Sequence, residues 1–238
     1  MPKNKQTTIK YILITFLSFI FVINVINASR FDKLPVIGSM INIEKINISF
    51  SSGNNELDAN IPNIEYPSNI DEKLNKEINK LTFRIIDSFF KDFDDNNHHY
   101  TKIDYEVITD NYEWFTLKIN ISETMASSSN FAKYYHINKK TNRLTLLSDL
   151  FKNGDYKEVL VQEIKRQMLE RMSEDPTLTF WIDDYDDESF KTIEDDQNFY
   201  FNKKGELVIF FNDFEVGPGS IGSQEFVISP SIYEDYLK

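Results

Sequence analysis

Two stretches of this chain carry apolar residues at helical spacing, and most of what surrounds them alternates apolar with polar at period two. That combination reads as an α+β fold, antiparallel sheets with two packed helices, joined by hairpins rather than by helical crossovers. In the first stretch the stripe is Ile70, Leu74, Ile78, Leu81, Ile85, Phe89 and Phe93, all at steps of three or four, so one face packs on a sheet. Pro67-Ser68 opens it, with Ser68 placed to cap and Asp71 in the first turn where the helix dipole favours an acid; Asp94 to Asn97 ends it. The second helix begins at Asp155, with Glu158 three residues on in a capping-box arrangement. Its stripe is Leu160, Ile164, Met168 and Met172, and it stops before Pro176.

Strands fill the rest. Ile46, Ile48 and Phe50 alternate ahead of the turn Ser51 to Asn55, and a second run from Glu56 to Tyr66 completes a hairpin. Ile103, Tyr105 and Val107 face Phe115, Leu117, Ile119 and Ile121 across Thr109-Asp110-Asn111, and a third hairpin runs from Phe131 through Lys139 to Asn142 and on to Leu147. Near the C-terminus Phe199-Tyr200-Phe201 and the continuous run Leu207 to Phe211 read as strands, and Glu225 to Ile228 is expected to close the sheet.

Ahead of these elements Tyr11 to Ala28 is an apolar run with Lys3, Lys5 and Lys10 before it and no acidic residue until Asp32. Positive charge stays on the inner side of a membrane, so the run orients everything after it outward. The expected organisation is a short cytoplasmic tail (1–10), a transmembrane anchor or signal peptide (11–28), a linker with Pro35 and Gly38 (29–40), and an exported part. The protein is then a single-pass cell-membrane protein with its C-terminal part outside, or is secreted after cleavage near Ala28. Setting aside the three lysines of residues 1–28 moves the formal net charge from −12 to −15. Such a surface repels nucleic acid and anionic lipid and steers a cationic partner towards it; the plainer reading is that charge keeps the domain soluble. With no cysteine, there are no disulfides.

Chemistry-bearing clusters are few. Asp183 to Glu188 and Glu194-Asp195-Asp196 lack the alternating carboxylates and central glycine of a calcium loop, and read as a solvated connector. His98-His99 beside Asp94 and Asp95 has neither the spacing nor the companions of a zinc site, and His136 lies in a strand. No metal or other cofactor is expected. Neither a Gly-x-Ser-x-Gly elbow nor a cysteine nucleophile is present, so no catalytic residue is assigned and the chain is expected not to be an enzyme. The loop Glu215 to Ser223 differs, having three glycines and a proline in six positions between two apolar strands. A bulged connection and a ligand loop are both consistent with that composition.

The passage from Asn198-Phe-Tyr-Phe through Gly205-Glu-Leu-Val to Glu215-Val-Gly-Pro-Gly-Ser, Gly222 and Glu225-Phe226 resembles the C-terminal domain of RsiV-type anti-sigma factors, as does Tyr134-Tyr-His-Ile through Leu144-Thr-Leu-Leu-Ser-Asp-Leu-Phe151. Residues 41–125 resemble the preceding domain found there and in the peptidoglycan deacetylase PdaC, leaving 126–238 as the RsiV C-terminal-like domain. The resemblance implies an extracytoplasmic sensing domain of a Gram-positive cell envelope, with lysozyme or a similar basic protein as ligand. A cell-wall glycan (peptidoglycan) binder and a minimal membrane anti-sigma factor are the alternatives. Ligand-binding residues are then expected at Ser127, Ser128, Ser129 and Asn130, and at Gly217, Pro218, Gly219 and Ser220. Two departures stand out: Ala126 to Asn130 replaces the family's Gly-Gly-Ala-His type loop, and Phe214-Glu-Val-Gly-Pro218 replaces Tyr-Glu-Val-Ala-Pro. Met1 to Lys10 is also short for holding a sigma factor, so that part is expected to be missing.

Overall fold

A long hairpin begins the fold. β1 (Asn42–Ser52) pairs antiparallel with β2 (Asn55–Glu65) over its whole length, turning at Gly53, whose φ of 59° lies in the left-handed region that glycine tolerates. This is a computed structural model, and it describes residues 41–66, 69–94, 97–182 and 189–238. The expected anchor and linker, the Ser68 cap and the acidic run 183–188 lie outside the described residues.

Helix α1 (Ile70–Lys91) follows, burying Ile70, Leu74, Ile78, Leu81, Ile86 and Phe89. Ile85 of the expected stripe is half-buried against the same core and Ile86 beside it is fully buried, because a 3.6-residue turn drifts against a strict four-step. Asn75 fixes the helix to β2 by a two-way amide clamp: its Oδ1 accepts from the Ile64 N–H and its Nδ2 donates to the Ile64 carbonyl, both at 2.8 Å. Asp71 accepts main-chain N–H groups of Tyr66 and Glu72, while burial raises its pKa above the ordinary carboxylate value.

The expectation of hairpin connections fails at this helix. β3 (His99–Asp110) pairs with β2 in parallel, from Asn55↔His99 to Ala59↔Ile103, so α1 is a crossover and the sheet is mixed. β4 (Trp114–Thr124) and β5 (Ser128–Asn138) continue antiparallel. β6 is only Arg143–Leu144, because Leu147 is buried in a 3-10 turn (Leu147–Leu150) rather than extended. The sheet order is β1-β2-β3-β4-β5-β6. Its core joins α1 to Leu57, Ala59, Ile61, Ile103, Phe115, Leu117, Ile119 and Ile121.

A second correction concerns the C-terminal strands. They do not close this sheet but form one of their own, β7 (Phe199–Phe201), β8 (Leu207–Phe211) and β9 (Gln224–Ile228), with β8 central and wholly buried. Helix α2 (Tyr156–Glu174) packs Leu160, Ile164 and Met168 into a separate core with Phe199, Ile209, Phe211 and Phe226. It also covers the outer edge of β9: Gln167 donates to the Val227 carbonyl, Arg171 donates to that of Glu225, and the Arg171 guanidinium lies 4.4 Å from the Phe226 ring centre. The expected capping box at Asp155 does not form, since its carboxylate accepts from Asn153 instead. A short helix, α3 (Pro230–Tyr233), ends on this core through Tyr233. The described residues from 41 onward belong to one compact unit.

Candidate ligand-binding surface

Between Asn130 and His136 the outer edge of β5 has no neighbouring strand among the described residues, so its main-chain groups need other partners. Side chains from the second sheet supply them. The Asp213 carboxylate accepts from the Asn130 N–H at 2.9 Å, Asn212 Oδ1 from the Ala132 N–H at 2.6 Å, and Asn198 Oδ1 from the Tyr134 N–H at 3.0 Å, while Asn198 Nδ2 donates to the Ala132 carbonyl at 2.8 Å. Asn198 and Asn212 are both buried. Asn212 is aimed in turn by Glu215, which accepts from its main-chain N–H and from its amide.

The same seam carries aromatic and ionic contacts. His136 stacks on Phe199 with ring centres 3.9 Å apart and bonds through Nδ1 to Thr116 at 3.1 Å, leaving Nε2 without a partner. Burial pushes its pKa down to about 3, with the Lys133 charge adding to the effect. Tyr134 stacks on Tyr200, and burial raises its hydroxyl pKa, helped by the Glu225 charge. Two of the three acids at 194–196 form ion pairs while staying exposed: Asp196 with Lys133 at 2.9 Å and Asp195 with Lys157 at 2.8 Å. Lys133 holds the Asp196 carboxyl below its ordinary pKa.

Beyond the seam the chain turns outward. The Glu215 N–H closes a four-residue turn onto the Asn212 carbonyl, and within it Phe214 takes φ 67°, a conformation that costs a residue with a Cβ about 1–2 kcal/mol. Its ring is 60% exposed, so burial does not compensate. The ring lies across Gly219, where any Cβ would overlap it. Gly217 is small for another reason, since a Cβ there would sit 2.6 Å from the Thr179 carbonyl oxygen. Gly217 is buried, Pro218 and Gly219 are half-buried, and Ser220 is exposed in the 3-10 turn Gly219–Ile221.

Of the other expected ligand residues, only Ser127 lies in the β4–β5 turn. Ser128, Ser129 and Asn130 are the first residues of β5, a difference that arises because Ser128 pairs with Thr124 in both backbone register and side chain. All four are exposed. The Asp213–Asn130 bond brings the hairpin end and the β8–β9 loop together. Sequence reasoning missed Asn198, Asn212, Asp213 and Phe214; the signal available was an asparagine bordering each of two apolar strands. His99 is buried against Phe89 and bonded to Thr101, whereas His98 is exposed. Among the described residues no group of three or more His, Cys, Asp or Glu is placed to hold a metal.

The two-sheet architecture defines a class. A family model described as a protein of unknown function, DUF3298, matches residues 148–231. Solved DUF3298 proteins share the fold: one from Pseudomonas aeruginosa PAO1 has a TM-score of 0.60 at 12% identity, covering 85% of this chain and 97% of that one. One from Bacteroides fragilis NCTC 9343 has a TM-score of 0.54 at 16% identity, covering 84% and 93%. Within that class the sequence is 36% identical over 217 residues to Anti-sigma-V factor RsiV of Bacillus subtilis (strain 168), spanning 88% of this chain and 75% of that protein. The chain therefore belongs to the RsiV-like family.

Proposed function

We propose that this chain is an RsiV-like extracytoplasmic sensing protein of a Gram-positive cell envelope. Residues 11–28 hold it to the membrane, and it binds a basic protein such as lysozyme through Ser127 to Asn130 and Gly217 to Ser220. The observation that supports this most directly is the Asp213–Asn130 bond, which makes one surface of two stretches 83 residues apart in sequence. The formal charge of −12 suits a cationic ligand. Identity to an anti-sigma factor supports a regulatory role in place of catalysis.

Calorimetric titration of the full-length chain with lysozyme, and separately with solubilised peptidoglycan, tests the reading. Lysozyme is expected to bind, more weakly as salt rises. Pro218→Ala and Ser128→Trp should each lower affinity and leave the melting temperature nearly unchanged. Salt-insensitive binding that neither variant alters would remove these loops from the site, and binding of peptidoglycan alone would replace the protein ligand with a glycan.

A further inference from the structure

We infer that the outer edge of β1 is an interface on which a second copy of this chain pairs, antiparallel and across a twofold axis, so that two six-stranded sheets run on as one. Exposed strand edges invite pairing, and this molecule covers two others: the β5 edge with Asn198, Asn212 and Asp213, and the β9 edge with Gln167 and Arg171. β1 is left open. It runs 11 residues at the end of the strand order without a proline or a bulge, and among the described residues every hydrogen bond it makes is to β2. Its apolar side is incomplete as well. Ile43, Ile46, Ile48 and Phe50 all pack on the first core yet stay half-buried, and Phe50 stands edge-on to Phe90 and Phe93, themselves half-buried at and just beyond the end of α1. The partner is taken as a second copy because β1 complements itself. A twofold centred on Ile48 sets that residue opposite its own copy, Ile46 opposite Phe50, Asn47 opposite Ser49, Lys45 opposite Ser51 and Glu44 opposite Ser52. Apolar then meets apolar beside the helix, polar meets polar on the other face, and no like charges meet. Centring on Ile46 or Asn47 instead sets Glu44 against Ile48 or Phe50, and centring on Lys45 sets two lysines together. With one acid and one base, the strand is also electrically neutral in a chain of net charge −12. The surface at Asn130 and Asp213 lies across four strands from the axis, about 20 Å away, so each copy keeps its own free.

The chain has no cysteine, so introduced ones report without background. In the full-length chain carrying Asn47→Cys with Ser49→Cys, opposed positions of the two copies come within disulfide reach, and mild oxidation is expected to give a covalent dimer. Asp58→Cys with Asn60→Cys, one strand further in, is expected to give none. Sedimentation of the unaltered full-length chain in mild detergent should show a dimer. Asn47→Lys with Ser49→Lys sets lysine against lysine at both pairs and should raise the dissociation constant at least about tenfold. Both positions are exposed, so the melting temperature in dilute solution should stay nearly unchanged. A chain that stays monomeric up to about 100 μM overturns the inference. A dimer that the lysine pair leaves intact, or that gives no crosslink from 47 to 49, overturns it too, because the copies then meet elsewhere. Should the lysine pair unfold the chain, the crosslink alone decides.

Discussion

Asn212 and Phe214 stand two residues apart in one turn and face opposite demands. Asn212 is 4% exposed and all its polar contacts close onto β5 and Glu215; Phe214 is 60% exposed, takes a left-handed φ, and lies across Gly219. The difference teaches that one short segment both fastens the second sheet to the first and presents a surface. The two tasks are assigned to different residues, so substitutions should separate them.

The inner task is the place to look for the largest effect. Asn198→Ala strips the Tyr134 N–H and the Ala132 carbonyl of their partners at buried positions, and unfolding in urea should show a loss of about 3 kcal/mol. A loss below about 1 kcal/mol would mean that the rings, not the amides, hold the seam.

Acid should loosen the same seam more gently. His136 has its pKa lowered to about 3 in the fold, against 6.5 for the free side chain. The neutral ring is the one the fold favours, so this stabilisation is complete above about pH 6.5 and is lost as pH falls towards 3, by at most ~1.4 kcal/mol per pH unit. Urea unfolding at pH 7 and pH 5 should show a drop that His136→Phe reduces; an equal drop in both would assign the acid sensitivity to other groups.

The outer side should show the smallest effect on stability. Asp213→Ala removes a single bond to the exposed Asn130, so the melting temperature is expected to fall by about 2 °C or less while lysozyme affinity falls several-fold. A large loss of stability there would erase the contrast between the two tasks.

Much of this fold is legible in residue spacing. Period-two runs locate β1 to β5, short apolar runs locate β7 and β8, and the stripes of α1 and α2 emerge within a residue or two, because burial is a local constraint. Parallel pairing of β2 with β3 is not local: the strands of a crossover and those of a hairpin carry the same alternation, and only the packing of α1 distinguishes them. Asn198 and Asn212 resemble ordinary strand-end residues until the edge they serve is seen, 66 and 80 residues away. Gly219 reads as loop flexibility in the sequence, whereas in the structure a ring five positions earlier lies across it where a Cβ would stand. The glycine-rich loop was visible, and the aromatic it supports was not.

Joining two sheets through side chains has a consequence for how the molecule comes apart. A backbone ladder opens only by unzipping a sheet, but this junction parts when the side chains of Asn198, Asn212 and Asp213 let go together with the Tyr134–Tyr200 and His136–Phe199 stacks and the Lys133–Asp196 pair. What is uncovered then is a ready strand edge from Asn130 to Tyr134, and a second molecule in the same state offers the matching amides. An opened molecule therefore presents the edge on which strand exchange with a second copy depends.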